Sequence, residues 1–125
     1  MPTMSGLTVI VATADPERFR AAMTLATAQA ALGGRVRVYC HERAVALLCT
    51  APDDDGDGAA ALAAAGLPDR PALIAMAIDG GVALIACQTG LALVGLEIDD
   101  LAGGVEAGGM VGLLASLGDD RLTTI

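Results

Sequence analysis

The 125-residue chain contains no lysine; its seven basic side chains are Arg18, Arg20, Arg35, Arg37, Arg43, Arg70 and Arg121. Schiff-base chemistry and a phosphate-gripping Walker lysine are therefore excluded. Aromatic rings make up 2% of residues, Phe19 and Tyr39 alone, so the core has to be built from Ala, Leu, Val, Ile and Met. His41 is the only imidazole, and neither H-E-x-x-H nor paired C-x-x-C occurs. A protein-only zinc site would need scattered thiols and carboxylates, and no metal is expected. Fifteen acidic side chains against seven basic ones leave a net charge of −8. Nucleic acid is not an expected partner, because phosphate contacts require a basic surface and single strands require stacking rings. Three cysteines, Cys40, Cys49 and Cys87, cannot close a disulfide framework, and the first residues carry neither a basic nor a long apolar leader. The expected compartment is a reducing cytoplasm.

What the chain does have is apolar residues, 54% of the total. Residues 71–96 hold a single charge, Asp79, and are long enough to cross a bilayer. Asp79-Gly80-Gly81 reads as a turn and Gln88-Thr89 interrupts the second half, so the stretch is expected to fold as helix, turn, buried strand and helix, with no membrane partner.

The pattern predicts one α/β domain spanning residues 1–125. Residues 7–12 (Leu-Thr-Val-Ile-Val-Ala) suit a strand buried on both faces. A helix follows with Asp15 as N-cap, Pro16 in its first turn and Glu17 favourable to its dipole. Phe19, Ala22, Met23, Ala26 and Ala30 form its apolar stripe, and Gly33-Gly34 ends it. Residues 35–40 alternate, with Val36, Val38 and Cys40 on one face and both arginines on the other, which predicts an edge strand. A short helix over 41–49, an Asp-rich loop over 51–58 and Ala-rich helices over 59–65 and 71–78 come next. Residues 82–87 are wholly apolar and predict a central strand, followed by a helix over 89–94. A very short strand over 104–107, a helix over 109–117 and a closing strand over 121–125 complete the chain. Strands alternating with helices imply a mainly parallel sheet. The expected architecture is a three-layer flavodoxin-like sandwich with five strands in the order 2-1-3-4-5.

In such a sheet, reactive groups gather beyond the C-terminal strand ends, near the point where strand order reverses. That edge would carry Thr13, Cys40 with His41, and Cys87 with Gln88, and the predicted order makes Thr13 a neighbour of Cys87. Cys87 is the candidate nucleophile, since a thiol ending a strand just before a helix meets unpaired backbone N–H groups that favour thiolate. The competing reading is a small buried hydrophobe. Cys40-His41 is a second constellation, though adjacent residues of an extended chain point to opposite faces. With the first strand between them, the second and third strands would lie about 9–10 Å apart, too far for a Cys40–Cys87 disulfide. Cys49 is expected in the core.

At Cys87 the sequence resembles the DsrE/DsrF-like proteins of sulfur oxidation and sulfur relay. The resemblance runs through residues 7–12, Gly33-Gly34-Arg35-Val36, Ala86-Cys87-Gln88-Thr89 with Gly95-Leu96, the glycine-rich residues 104–109 and the closing Leu122-Thr123-Thr124-Ile125. It implies a flavodoxin-like fold assembled as a dimer, trimer or hexamer. It also implies that a cysteine at the position of Cys87 carries sulfur as a persulfide to a partner protein; the strand-end edge supplies Gln88, Thr13, His41 and Cys40 as its candidate neighbours. A non-catalytic oligomeric interaction module is the alternative, and a flavin or nucleotide binder a third.

Other motifs fail on particular residues. Asp53-x-Asp55-x-Asp57-Gly58 copies half of a calcium loop, but its twelfth position is Ala64 where a bidentate glutamate is required. A cysteine phosphatase needs C-x5-R, and Leu93, Ala46 and Asp55 stand where Cys87, Cys40 and Cys49 would need arginine. No G-x-G-x-x-G occurs, and two rings offer little to a flavin. No cofactor is expected.

Overall fold

The computed structural model describes residues 5–50 and 58–125; the Asp53, Asp55 and Asp57 run lies outside them. The chain order is β1 (Leu7–Val11), α1 (Pro16–Ala31), β2 (Val36–Cys40), a 3-10 helix (Glu42–Leu48), α2 (Ala59–Ala64), α3 (Arg70–Asp79) and β3 (Ala83–Cys87). It continues with α4 (Gln88–Val94), a 3-10 turn (Ile98–Asp100), β4 (Glu106–Gly108), α5 (Met110–Ala115) and β5 (Arg121–Thr124).

Local chemistry starts and stops these elements. The Asp15 carboxylate accepts from the Glu17 amide at 2.9 Å and Pro16 lies in the first turn, which opens α1 where the sequence places it. Phe19, Ala22, Met23 and Ala26 are its buried stripe. The chain leaves the helix through Gly33 at φ +92°, a left-handed conformation that costs glycine little. Asp69 caps α3 through the Ala72 amide at 3.0 Å. The next residue, the buried Arg70, donates to the carbonyls of Leu47 and Cys49 and so ties α3 to the end of the 3-10 helix.

The five strands are all parallel, in the order β4-β3-β2-β1-β5. This corrects the predicted 2-1-3-4-5 order: β5 pairs with β1 and not β4, β3 pairs with β2 and not β1 and so lies off centre, and β2 is the central strand, not an edge. The reason is Arg37. Its alternation with apolar residues reads as a solvated face, yet its side chain is only 13% exposed. It donates to Thr8 Oγ1 at 3.1 Å, Ser116 Oγ at 2.7 Å and the Leu113 carbonyl at 3.3 Å, and lies 3.8 Å from the Asp120 carboxylate. A polar residue in a central strand is tolerable when its donors are met within the protein. The two outer strands have only three and four residues, a common way to limit exposed edges.

Strand register sorts the side chains onto two faces. Val9, Val38 and Leu84 lie in one row, and Val11, Cys40 and Ala86 in the next; α1 and α3 pack on this face. The other face carries Thr8, Arg37 and Ala83 in one row and Ile10, Tyr39 and Ile85 in the next. There α5 receives Arg37 through Leu113 and Ser116. Helices on both faces of a parallel sheet make this a flavodoxin-like α/β fold, as expected. Among the described residues no helix is long and apolar enough to cross a membrane.

Candidate functional site

Cys87 ends β3 and caps α4, with its side chain on the α5 face of the sheet. Its sulfur accepts from the Gly90 amide at 3.4 Å. The hydroxyl of Tyr39 and the amides of Glu42 and Thr89 are near enough to favour its thiolate. Burial by itself would raise the thiol pKa. The Tyr39 hydroxyl and the three amides oppose that effect and bring the pKa below its ordinary value. Tyr39 reciprocates: burial, then its hydrogen bond to Cys87 and the charge of the thiolate, push its own pKa up, so the ring keeps its proton and remains a donor.

This arrangement depends on the 3-10 helix. Glu42, its first residue, has φ +45°, the only left-handed non-glycine among the described residues; such a conformation is rare and costly for a side chain with a Cβ. Its amide is one of the groups that lower the Cys87 pKa. Across the gap, Gly90 admits no side chain, because a Cβ there would press on the Glu42 carbonyl and come within 2.6 Å of Val45 Cγ2. The close approach of α4 to the 3-10 helix brings the donors from both segments to one sulfur.

Cys87 opens on a cavity of about 360 Å³ lined by Tyr39, His41, Glu42, Gln88, Thr89, Gly109 and Met110. His41 Nε2 lies 3.0 Å from Glu42 Oε1, while its Nδ1 is buried without a hydrogen-bond partner. Of the residues the sequence pointed to, Cys87, Gln88 and His41 therefore meet at one cavity. Thr13 does not join them; it is exposed beyond β1 and, with β2 in between, stands two strands from Cys87. Cys40 is fully buried on the opposite face, where burial pushes its pKa up to about 12. Its strand adjoins β3 instead of lying about 10 Å away, so the sheet itself, not strand separation, keeps Cys40 from Cys87. Cys49 is half-buried at the margin of the core, its thiol donating to the Asp100 carbonyl at 3.5 Å, and is less enclosed than expected.

Tyr39, Glu42 and Gly90 are the contributors that sequence reasoning missed. Tyr39 had a usable signal: one residue before Cys40, it must face away from it, and so shares the Cys87 face once β2 adjoins β3. Glu42 had none, since what it supplies to the sulfur is its backbone amide, which any residue type carries. Among the described residues no group of three His, Cys, Asp or Glu side chains is placed to hold a metal. Both rings are almost wholly buried, leaving neither face free to stack on a flavin.

The fold and this site together define a small flavodoxin-like α/β protein with a thiolate-favouring cysteine at the C-terminal edge of its sheet. The ychN protein from E. coli has the same fold, with a TM-score of 0.75 at 19% sequence identity over 98% of this chain and 100% of that one. MTH1491 from Methanobacterium thermoautotrophicum, described as a protein of unknown function, superposes with a TM-score of 0.67 at 17% identity over the same shares. No family model matches the sequence, and no curated protein matches it. At these identities the likeness establishes the shared fold alone.

Proposed function

We propose that the chain is a DsrE-like sulfur carrier acting through Cys87. The observation that carries this reading is a buried thiol that accepts from the Gly90 amide and opens on a cavity large enough for a small donor, with Tyr39, Glu42 and Thr89 beside it favouring the thiolate. The Cys87 thiolate attacks the outer sulfur of a donor persulfide; the new S–S bond forms on Sγ as the donor's own S–S bond breaks, and the donor departs as a thiolate. An acceptor thiolate then attacks the outer sulfur of the Cys87 persulfide, and Cys87 leaves as the thiolate. The oxidation level of the transferred sulfur is conserved, so no external oxidant is needed. The same amides and the Tyr39 hydroxyl that hold the thiolate hold it again as leaving group. A donor or acceptor protein is the proposed partner, and the reducing cytoplasm the proposed setting, which suits three free thiols.

Intact mass after incubation with a persulfide donor tests this: wild type gains one sulfur atom that an added thiol removes, and Cys87→Ser gains none. Equal loading of Cys87→Ser would sink the proposal.

A second reading concerns assembly. α5 and β5 expose Val111, Leu114 and Leu122 on the thinly covered face of the sheet, and we propose that a second copy of the chain covers them. This is compatible with the carrier reading and is also what a purely structural oligomeric module would need.

A further inference from the structure

The charge of the Cys87 cavity has a bearing on which donors can use it. Of the described residues lining it, Glu42 brings a carboxylate and none brings a guanidinium. The Glu42 side chain is about half exposed and is paired with His41, itself partly exposed, at 3.0 Å. On the same sheet face, Glu106 lies opposite Ile85 and lines an adjoining cavity of about 160 Å³ that also includes Gly109. Arg37 lines that second cavity, but its donors are engaged by Thr8, Ser116 and Leu113 and its charge is set against the nearly buried Asp120. The chain as a whole carries a charge of −8 with no lysine. A dianionic donor such as thiosulfate would therefore approach a thiolate past a carboxylate, in a negative overall field, with no guanidinium among the described residues lining the cavity to receive it.

We propose that this cavity selects sulfur donors by charge, accepting uncharged or cationic ones and turning away small anions, with Glu42 as the specificity-determining residue. The inference rests on the carrier reading for its biological meaning, while the selection itself is a property of the cavity.

Methanethiosulfonate reagents that differ in charge provide the probe. In each, the Cys87 thiolate attacks the sulfenyl sulfur, an S–S bond forms on Sγ, and methanesulfinate leaves with the electron pair of the broken S–S bond. The full chain with Cys49→Ala is treated at low salt with the 2-aminoethyl, methyl and 2-sulfonatoethyl reagents. Each rate at Cys87 is read by peptide mass and divided by the rate with 2-mercaptoethanol. The expected order is cation, neutral, anion, with the anion roughly three- to tenfold behind the neutral reagent, and the gap narrowing as salt rises. Glu42→Gln narrows it at low salt, and Gln88→Lys, at an exposed position on the cavity wall, lifts the anion above the neutral reagent. Equal normalised rates in the parent chain, a faster anion, or a gap indifferent to Glu42→Gln would each overturn the proposal. These reagents modify any accessible thiolate. A flat series would thus leave the carrier reading standing, and failure to load sulfane sulfur would leave the charge series intact.

Discussion

Tyr39 reaches Cys87 because two residues of strand geometry put both side chains on one face, Tyr39 level with Ile85 and Cys87 one pleat beyond it. Its hydroxyl is buried beside the sulfur, and burial holds its pKa up so that it stays protonated. A hydrogen bond to a charged acceptor contributes about 1.5–3 kcal/mol, and one pKa unit corresponds to about 1.4 kcal/mol. Removing the hydroxyl in Tyr39→Phe should therefore raise the Cys87 pKa by about one unit, the three amides keeping part of the effect. The check is the pH dependence of Cys87 alkylation by iodoacetamide. A lowered thiol pKa means that the wild-type rate reaches half of its plateau at a lower pH than a free cysteine does, whereas the variant needs a higher pH to reach the same fraction of its plateau. A packing role alone would leave the midpoint where it is, so an unmoved midpoint would refute the hydrogen-bonding role.

Among the elements, β2 separates what sequence patterns reveal from what they conceal. Its central place makes Arg37 part of the folded interior, held with Thr8, Ser116, Leu113 and Asp120. Arg37→Ala strips this network of its donor and leaves the Asp120 carboxylate, 5% exposed, with Arg35 and Thr8 as its partners. The expected loss is about 2–4 kcal/mol in urea unfolding, against less than about 0.5 kcal/mol for a solvated edge arginine; a loss in the lower range would contradict the central role assigned here. The same network explains how legible the fold was. Element types followed from periodicity and caps, as at Asp15-Pro16 and the apolar residues 82–87, because burial on one or both faces leaves a direct imprint on local sequence. Strand order left no such imprint, since an arginine satisfied by α5 and one satisfied by water produce the same alternation. The candidate site inherited that ambiguity: Cys87 was legible from its position at a strand end, while Tyr39 was hidden by the misplaced β2 and Thr13 was drawn in by it. Glu42 was hidden for another reason, as the backbone amide it supplies is one that any residue type carries.

Across the whole molecule the two faces of the sheet are unequally covered. α1 and α3, of sixteen and ten residues, pack on one face, whereas the six-residue α5 is what the other receives among the described residues. The shortfall is visible as Val111, 85% exposed, with Leu114 and Leu122 nearly half exposed. A second copy related by a two-fold axis would present the same side chains, so each substitution acts twice. Burying a valine contributes about 1.5 kcal/mol or more; Val111→Asp, counted on both sides, should weaken association by roughly a hundredfold. Each copy also carries a charge of −8, and repulsion between like-charged copies is screened by salt. Sedimentation equilibrium should accordingly find wild type assembling, more tightly as sodium chloride rises, and Val111→Asp monomeric at concentrations where wild type is not. Wild type that stays strictly monomeric at both low and high salt would remove the oligomer, and with it the account of why this face is so thinly covered.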